Sequence, residues 1–182
     1  MKDRNVELNW NKCVFGASEI NFSGHKINRQ GVSLSPDKIK VIISFRSLKS
    51  EAEVRSFLGL VNYLNKFIPD LATLESPLRA LLRKQSSFEW SASHQQSFES
   101  IKAALKRVQV LGFFNKSDRT SVMADASSMG LGAILMQTNN RGNSRIVCCS
   151  SKSLTDTEKR YCQTEKQALT IIWSVERFYL YL

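Results

Sequence analysis

The chain has 182 residues, 42% hydrophobic and 9% aromatic, a globular rather than disordered composition that suits one ordinary domain or two small ones. Its 26 Lys and Arg against 16 Asp and Glu give a formal charge of +10, which favours polyanionic partners, with nucleic acid ahead of anionic membrane. The excess is spread, since residues 1–90 carry 14 basic and 9 acidic side chains and residues 91–182 carry 12 and 7, leaving +5 in each half.

Met1-Lys2-Asp3-Arg4-Asn5 is charged with no apolar run behind it, so no secretory signal is expected. Cys13-Val14-Phe15 and Ile20-Asn21-Phe22 read as strands around a turn, and Ser23-Gly24-His25-Lys26-Ile27 leads to a second turn at Gly31, a β-hairpin region. Ser35-Pro36-Asp37 combines an N-cap, a proline at the first helical position and an early acid, and starts a short helix through Ile39, Ile42 and Ile43. Ser50-Glu51-Ala52-Glu53 has the form of a capping box. The helix it opens carries Val54, Phe57, Leu58, Val61, Leu64 and Ile68 on one apolar face, with Pro69 as its stop. Ser76-Pro77 begins another helix through Leu78, Leu81 and Leu82, which completes a helical block over residues 35–85. Ser93 with Gln96 caps one more, with Phe98, Ile101, Leu105 and Val108 as its buried stripe.

After Gly112 the texture changes. Ser121-Val122-Met123, residues 130–137 and residues 145–149 are short β-rich runs separated by Ser, Asn and Gly turns, a three-stranded antiparallel meander that opens a new domain. From about Tyr161 a helix returns, with Ala168, Ile172, Val175, Tyr179 and Leu182 on one face. Residues 169–182 are too short, and too charged at Glu176 and Arg177, to span a bilayer. Nothing else is present to cover both faces of the sheet, so this domain is expected to be incomplete. Cys13, Cys148, Cys149 and Cys162 lack CxxC spacing and only two histidines accompany them, so neither a zinc site nor disulfides are expected.

Several motifs follow one another in a fixed order. Leu8-Asn9-Trp10-Asn11-Lys12-Cys13 and Phe22-Ser23-Gly24-His25-Lys26-Ile27 come first, then Gly31-Val32 and Ser35-Pro36-Asp37-Lys38-Ile39. Phe57-Leu58-Gly59-Leu60-Val61-Asn62-Tyr63, Lys66-Phe67-Ile68, Pro77-Leu78-Arg79-Ala80-Leu81-Leu82 and Phe88-Glu89-Trp90 follow. Asp125-Ala126-Ser127, Gly130-Leu131-Gly132-Ala133-Ile134-Leu135, Ser150-Ser151-Lys152-Ser153-Leu154 and Glu165-Lys166-Gln167-Ala168-Leu169 close the series. Any one of these is weak; their shared order resembles the gypsy-like long-terminal-repeat retrotransposon reverse transcriptase/ribonuclease H polyprotein over nearly the whole chain. Ser23 stands where that family usually has Leu.

The resemblance implies an α+β chain in three parts: residues 1–34 as the end of a polymerase palm with its primer-holding hairpin, 35–111 as thumb and connection, and 112–182 as an incomplete ribonuclease H-like domain. It implies a parent activity of RNA-directed DNA synthesis with cleavage of RNA in RNA–DNA hybrids. The expected partners are an RNA–DNA hybrid or template–primer duplex and the rest of a Pol polyprotein, with no membrane. The implied setting is intracellular: the cytoplasm, within virus-like particles, or the nucleus. Asp125 and Glu165 match the family's first two ribonuclease H carboxylates and become the candidate catalytic and Mg²⁺ (or Mn²⁺) ligands, since phosphodiester hydrolysis uses two hard cations on carboxylate oxygens. Gly24, His25 and Lys26 match the primer-holding hairpin, and Lys38, Lys40, Arg46, Lys49, Arg55 and Lys66 are the candidate phosphate contacts, sequence-independent and salt-sensitive. No adjacent Asp pair of the polymerase type occurs in the sequence, and the family's later ribonuclease H acids fall beyond Leu182. The chain is therefore expected to be inactive alone, with a non-enzymatic RNA–DNA duplex-binding remnant or an unselected relic as the alternative.

Overall fold

A computed structural model describes residues 9–83 and 88–182. The charged N-terminal stretch, Leu8 at the head of the first motif and the last residues of the expected helical block lie outside the described residues.

The chain opens with a three-stranded antiparallel sheet, β1 (Glu19–Phe22), β2 (His25–Asn28) and β3 (Gly31–Leu34), in sequential order. Ser23 and Gly24 both take positive φ, 47° and 74°, the two-residue geometry whose twist matches that of the strands it joins. The strand expected at Cys13-Val14-Phe15 does not form; a 3-10 turn at Trp10–Lys12 precedes it, and Val14 and Phe15 stay 75% and 79% exposed. Without a partner strand or a face to bury, β propensity alone does not order a segment.

Four helices follow: α1 (Pro36–Ser44), α2 (Glu51–Asn62), α3 (Leu71–Ala80) and α4 (Ala92–Lys106). At the head of α2 the Ser50 hydroxyl accepts the Glu53 N–H at 3.3 Å, while the Glu53 carboxylate reaches back to the Lys49 N–H at 2.7 Å, one residue earlier than a capping box requires. Helix α2 stops at Asn62 rather than at Pro69, and a 3-10 turn over Asn65–Phe67 replaces its last turn. That turn keeps Leu64 and Ile68 buried and turns Asn65 toward the second sheet, where it bonds Ser151.

The start expected at Ser76-Pro77 is corrected. Helix α3 begins at Leu71 behind Asp70, whose φ is 52°, and Pro77 lies inside it. Proline forfeits one helical hydrogen bond. Burial of Leu71, Ala72 and Leu78, and a bond from the Ser97 hydroxyl to the Leu74 carbonyl, hold the helix against α4 regardless. Helix α4 is capped at Ser91 rather than Ser93, because His94 Nδ1 takes the Ser91 N–H at 3.0 Å. Val54, Phe57, Val61, Leu71, Leu78, Phe98, Ile101 and Leu105 are sealed from solvent, with Phe57 and Phe98 rings 4.9 Å apart. Each such burial stabilises by about 1.5–3 kcal/mol, so this helical layer carries the main core.

The second sheet is the expected antiparallel meander, β4 (Arg119–Ala126), β5 (Gly130–Thr138) and β6 (Ser144–Ser153), with α5 (Gln163–Phe178) laid on one face. Ala133, Leu135, Val147 and Phe178 pack together there. The opposite face meets α3 and the 65–67 turn: the Ala72 N–H bonds Ser151 Oγ at 3.1 Å, and Thr73 Oγ1 lies 2.8 Å from Ser127 Oγ. Residues 111–112 tie the two sheets together. Val32 and Leu111 exchange both backbone bonds at 2.8 Å, and the Gly112 N–H donates to the Ile146 carbonyl at 2.7 Å.

The orientation of α5 differs from the sequence pattern. Lys166, Thr170, Ser174 and Phe178 are buried, whereas Ile172, Val175, Tyr179 and Leu182 are 60%, 49%, 68% and 61% exposed. Polar anchors set this rotation. Gln163 bonds the Ala126 carbonyl, Gln167 bonds Asp125 and Arg177 bonds Ser150, while the Thr170 and Ser174 hydroxyls are satisfied by carbonyls of their own helix. No helix among the described residues is long and apolar enough to cross a membrane.

Candidate nucleic-acid interface and metal site

The β1–β2 turn is fastened from both sides. Tyr63, at the C-terminal end of α2, donates its hydroxyl to the Ser23 carbonyl at 2.6 Å and stacks on His25, with ring centroids 5.3 Å apart and planes 7° from parallel. Its oxygen also lies 3.2 Å from His25 Nε2. The Lys38 stem lies over Gly24 so closely that a Cβ there would sit 2.7 Å from Lys38 Cε. Glycine is favoured at that position by its positive φ, while the flexible Lys38 stem could shift aside for a Cβ. Ser23, Gly24, Lys38 and Tyr63, together with Gly59, Leu60 and Ile42, line a cleft of about 810 Å³ between the turn and helices α1 and α2.

Not every basic candidate is equally available. Arg46, Lys49 and Arg55 are exposed around the α1–α2 connection. Lys26 is paired with Glu19 at 2.8 Å, which holds that carboxyl below its usual range, and Lys40 lies 3.9 Å from Asp37. Such exposed pairs are weak and exchange readily for a phosphate. Lys66 is turned inward over the Phe67 ring, 5.2 Å from its centroid, toward Cys148 of the second sheet. Burial pulls the Lys66 amine below its ordinary pKa. Burial, and then the Lys66 charge, does the same to His25.

Asp125 lies near the C-terminal end of β4, and Glu165 in the first turn of α5. The Gln163 and Gln167 amides dock that turn onto the strand end, at 2.9 Å from the Ala126 carbonyl and 2.9 Å from Asp125 Oδ1. The two acids therefore share one end of the sheet, yet each is engaged separately, because Glu165 Oε2 accepts the Cys162 N–H at 2.8 Å. The donor oxygens suit Mg²⁺ in kind, but among the described residues no three potential ligands gather at one point. Two carboxylates already committed to protein hydrogen bonds do not make up a two-metal centre.

Three residues of these sites had no role in the sequence pattern. Tyr63 sits inside a motif that reads first as core, and Gln167 looks like an ordinary helix-surface residue. Asp70 is the third. Its Oδ1 overlies Gly132, the register partner of Asp125, at 1.9 Å from where a Cβ would stand. Although Asp70 keeps much of its surface in solvent, its carboxyl loses hydration against the sheet and feels the Asp125 charge, and both raise its pKa in that order. The only sequence signal for it is an acid directly after Pro69.

The meander, with an acid near the C-terminal end of its first strand, and the helix that follows place the molecule in the ribonuclease H-like class, and residues 90–182 match the family model described as an RNase H-like domain found in reverse transcriptase. The chain belongs to that family. It is 33% identical over 183 residues to the retrovirus-related Pol polyprotein from transposon 297 of Drosophila melanogaster, and 32% identical over 182 residues to the transposon Tf2-3 polyprotein of Schizosaccharomyces pombe. Both alignments cover 100% of this chain but only 17% and 14% of those polyproteins, so the chain corresponds to a segment of them. The gypsy-like resemblance of the ordered motifs agrees with these relatives. Among solved structures, the foamy viral protease-reverse transcriptase in complex with dsDNA is similar with a TM-score of 0.76, at 23% identity over 91% of this chain and 35% of that one. The same viral protein in complex with an RNA/DNA hybrid gives a TM-score of 0.73, at 23% identity over 89% and 22%. At that identity the likeness establishes the fold, a helical layer between a small sheet and an RNase H-like meander. The RNase H-like family generally works with divalent metal.

Proposed function

We propose that this chain is the duplex-holding segment of a retrotransposon reverse transcriptase/ribonuclease H polyprotein, and that by itself it grips template–primer or RNA–DNA hybrid without polymerising or cleaving. The observation that carries the reading is the Ser23-Gly24 turn, clamped by Tyr63 and Lys38 at the mouth of the large cleft. Rigid backbone in a basic setting presents N–H groups and cations to a sugar–phosphate strand without reading its sequence. The foamy viral neighbours, whose structures are in complex with an RNA/DNA hybrid and with dsDNA, support a duplex as the ligand. Asp125 and Glu165 would hold Mg²⁺ or Mn²⁺ weakly at the sheet end, and the rest of a polyprotein would supply the acids that complete the chemistry.

The test uses a labelled RNA–DNA hybrid, with binding followed across a salt series and cleavage scored in the same tubes with Mg²⁺ or Mn²⁺. Neutralising several phosphates gives a log–log salt slope of about −0.9 per contact on a B-form duplex, so binding should fall steeply with salt and no cleavage should appear. Salt-independent binding, or none, overturns the duplex-holding reading. Cleavage that disappears in Asp125→Asn overturns the inactivity of the isolated chain.

A further inference from the structure

A second cleft, of about 410 Å³, opens where α3, β6 and α5 meet, away from the Ser23-Gly24 turn. Three cations from three different elements line it: Arg79 of α3, Lys152 of β6 and Arg177 of α5. The acid among the lining residues, Glu75, is 3% exposed and already bound through Oε1 to Arg79 Nε at 2.6 Å. Lys152 is in turn paired with Glu158 at 2.9 Å, so the three cations set against these two carboxylates keep an excess of one positive charge. Volumes of about 300–1,000 Å³ are those of small-molecule sites.

Glu75 also poses a problem of its own. Its Oε2 is buried at the cleft wall and has no hydrogen-bond partner among the described residues. A buried carboxylate oxygen left unpaired has lost its hydration with nothing in return, so a ligand that brings a donor there recovers that energy. An oxyanion that satisfies the three cations and also carries an O–H meets both demands. Monohydrogen and dihydrogen phosphate have that O–H; sulfate and a phosphodiester do not.

We propose that this junction cleft is a binding site for a phosphate that retains a proton, with Arg79, Lys152 and Arg177 holding its charge and Glu75 accepting its O–H. Bound there, the anion fastens the helical layer to the second sheet. The site is independent of duplex holding and stands or falls without it. The same chemistry is offered by inorganic phosphate and by a phosphate monoester, whose second ionisation near pH 6 leaves it only partly protonated at neutral pH.

Calorimetric titration of the full chain at pH 6.5 and fixed ionic strength decides the matter, with inorganic phosphate, a nucleoside 5′-monophosphate, sulfate and a capped dinucleoside phosphodiester as separate ligands. Phosphate should bind at least about tenfold more tightly than sulfate, equivalent to one recovered hydrogen bond to a charged group. Tighter binding of the monophosphate would assign the site to a nucleotide's terminal phosphate, and weaker binding to inorganic phosphate. Glu75→Gln, which offers a donor in place of an acceptor, should bring sulfate level with phosphate. Arg177→Ala removes an exposed side chain and should abolish binding of either without unfolding the chain. Burial pushes the Glu75 carboxyl up while Arg79 opposes it, and sulfate separates the two sources of the proton. If wild type binds sulfate as well as phosphate, Glu75 does not select a protonated anion and the proposal fails. It fails equally if neither anion binds, or if Arg177→Ala binds phosphate unchanged.

Discussion

Replacing Gly31 by Ala should destabilise the molecule at the seam that joins its two sheets. Gly31 has φ of 141°, and a Cβ there would stand 2.0 Å from the Leu111 carbonyl oxygen and 2.9 Å from its carbon, backbone atoms that no rotamer change can move aside. The left-handed conformation costs a non-glycine residue about 1–3 kcal/mol. Displacing Leu111 also strains or breaks the two 2.8 Å bonds it exchanges with Val32, each contributing about 0.5–1.5 kcal/mol net. The sum centres on about 4 kcal/mol, a large share of the roughly 5–15 kcal/mol that holds a domain together. Urea unfolding followed by circular dichroism measures it as a fall in midpoint at unchanged slope. For a chain of this size the melting temperature should drop by roughly 8–16 °C. Gly142→Ala is the control, since its φ is 80° but no atom lies within 4 Å of the new Cβ, so it should lose only about 1–2 kcal/mol. A Gly31→Ala loss no greater than that of Gly142→Ala would refute the close approach as the source of the effect.

Tyr63→Phe keeps the ring stack on His25 but removes the 2.6 Å bond to Ser23, and should cost about 0.5–1.5 kcal/mol while weakening hybrid binding; unfolding and binding curves that superimpose on wild type would remove Tyr63 from the clamp. His25 has a pKa held below 6.5, first by burial and then by Lys66, so it favours the fold while neutral: that contribution is present above pH 6.5 and is lost as pH falls through the lowered value. Stability measured from pH 7.5 down to 5 should therefore decline less in His25→Phe than in wild type, and parallel curves would contradict it. Asp125→Asn should abolish whatever weak Mn²⁺ binding the chain has, read from the ion's paramagnetic resonance during titration, and identical titrations would remove Asp125 as a ligand.

The sequence was most legible where one periodicity met one packing partner. The stripe Val54, Phe57, Leu58 and Val61 lies in the core because a helix with a single apolar face has one way to bury it. The β-rich runs after Gly112 became a meander because short turns leave antiparallel neighbours as the available pairing. The ordered motifs named the family for a different reason: each is weak, but their succession over the whole chain is not repeated by chance.

Tertiary structure decided the rest, at places where local rules met a stronger distant contact. Pro77 looks like a helix start and lies inside α3, because Leu71 and Leu78 gain more from burial against α4 than one missing hydrogen bond costs. Helix α5 turns Ile172 and Val175 outward, with Phe178 inward, because Gln163, Gln167 and Arg177 find polar partners on the sheet. Asp70 comes to lie beside Asp125, 55 positions later in the sequence, only because Gly132 leaves room for its carboxylate above β5. Side-chain type and spacing thus set the elements, the family and the candidate acids. Which acid meets which partner depended on the packing of the helical layer onto the second sheet, a long-range contact that no local pattern encodes.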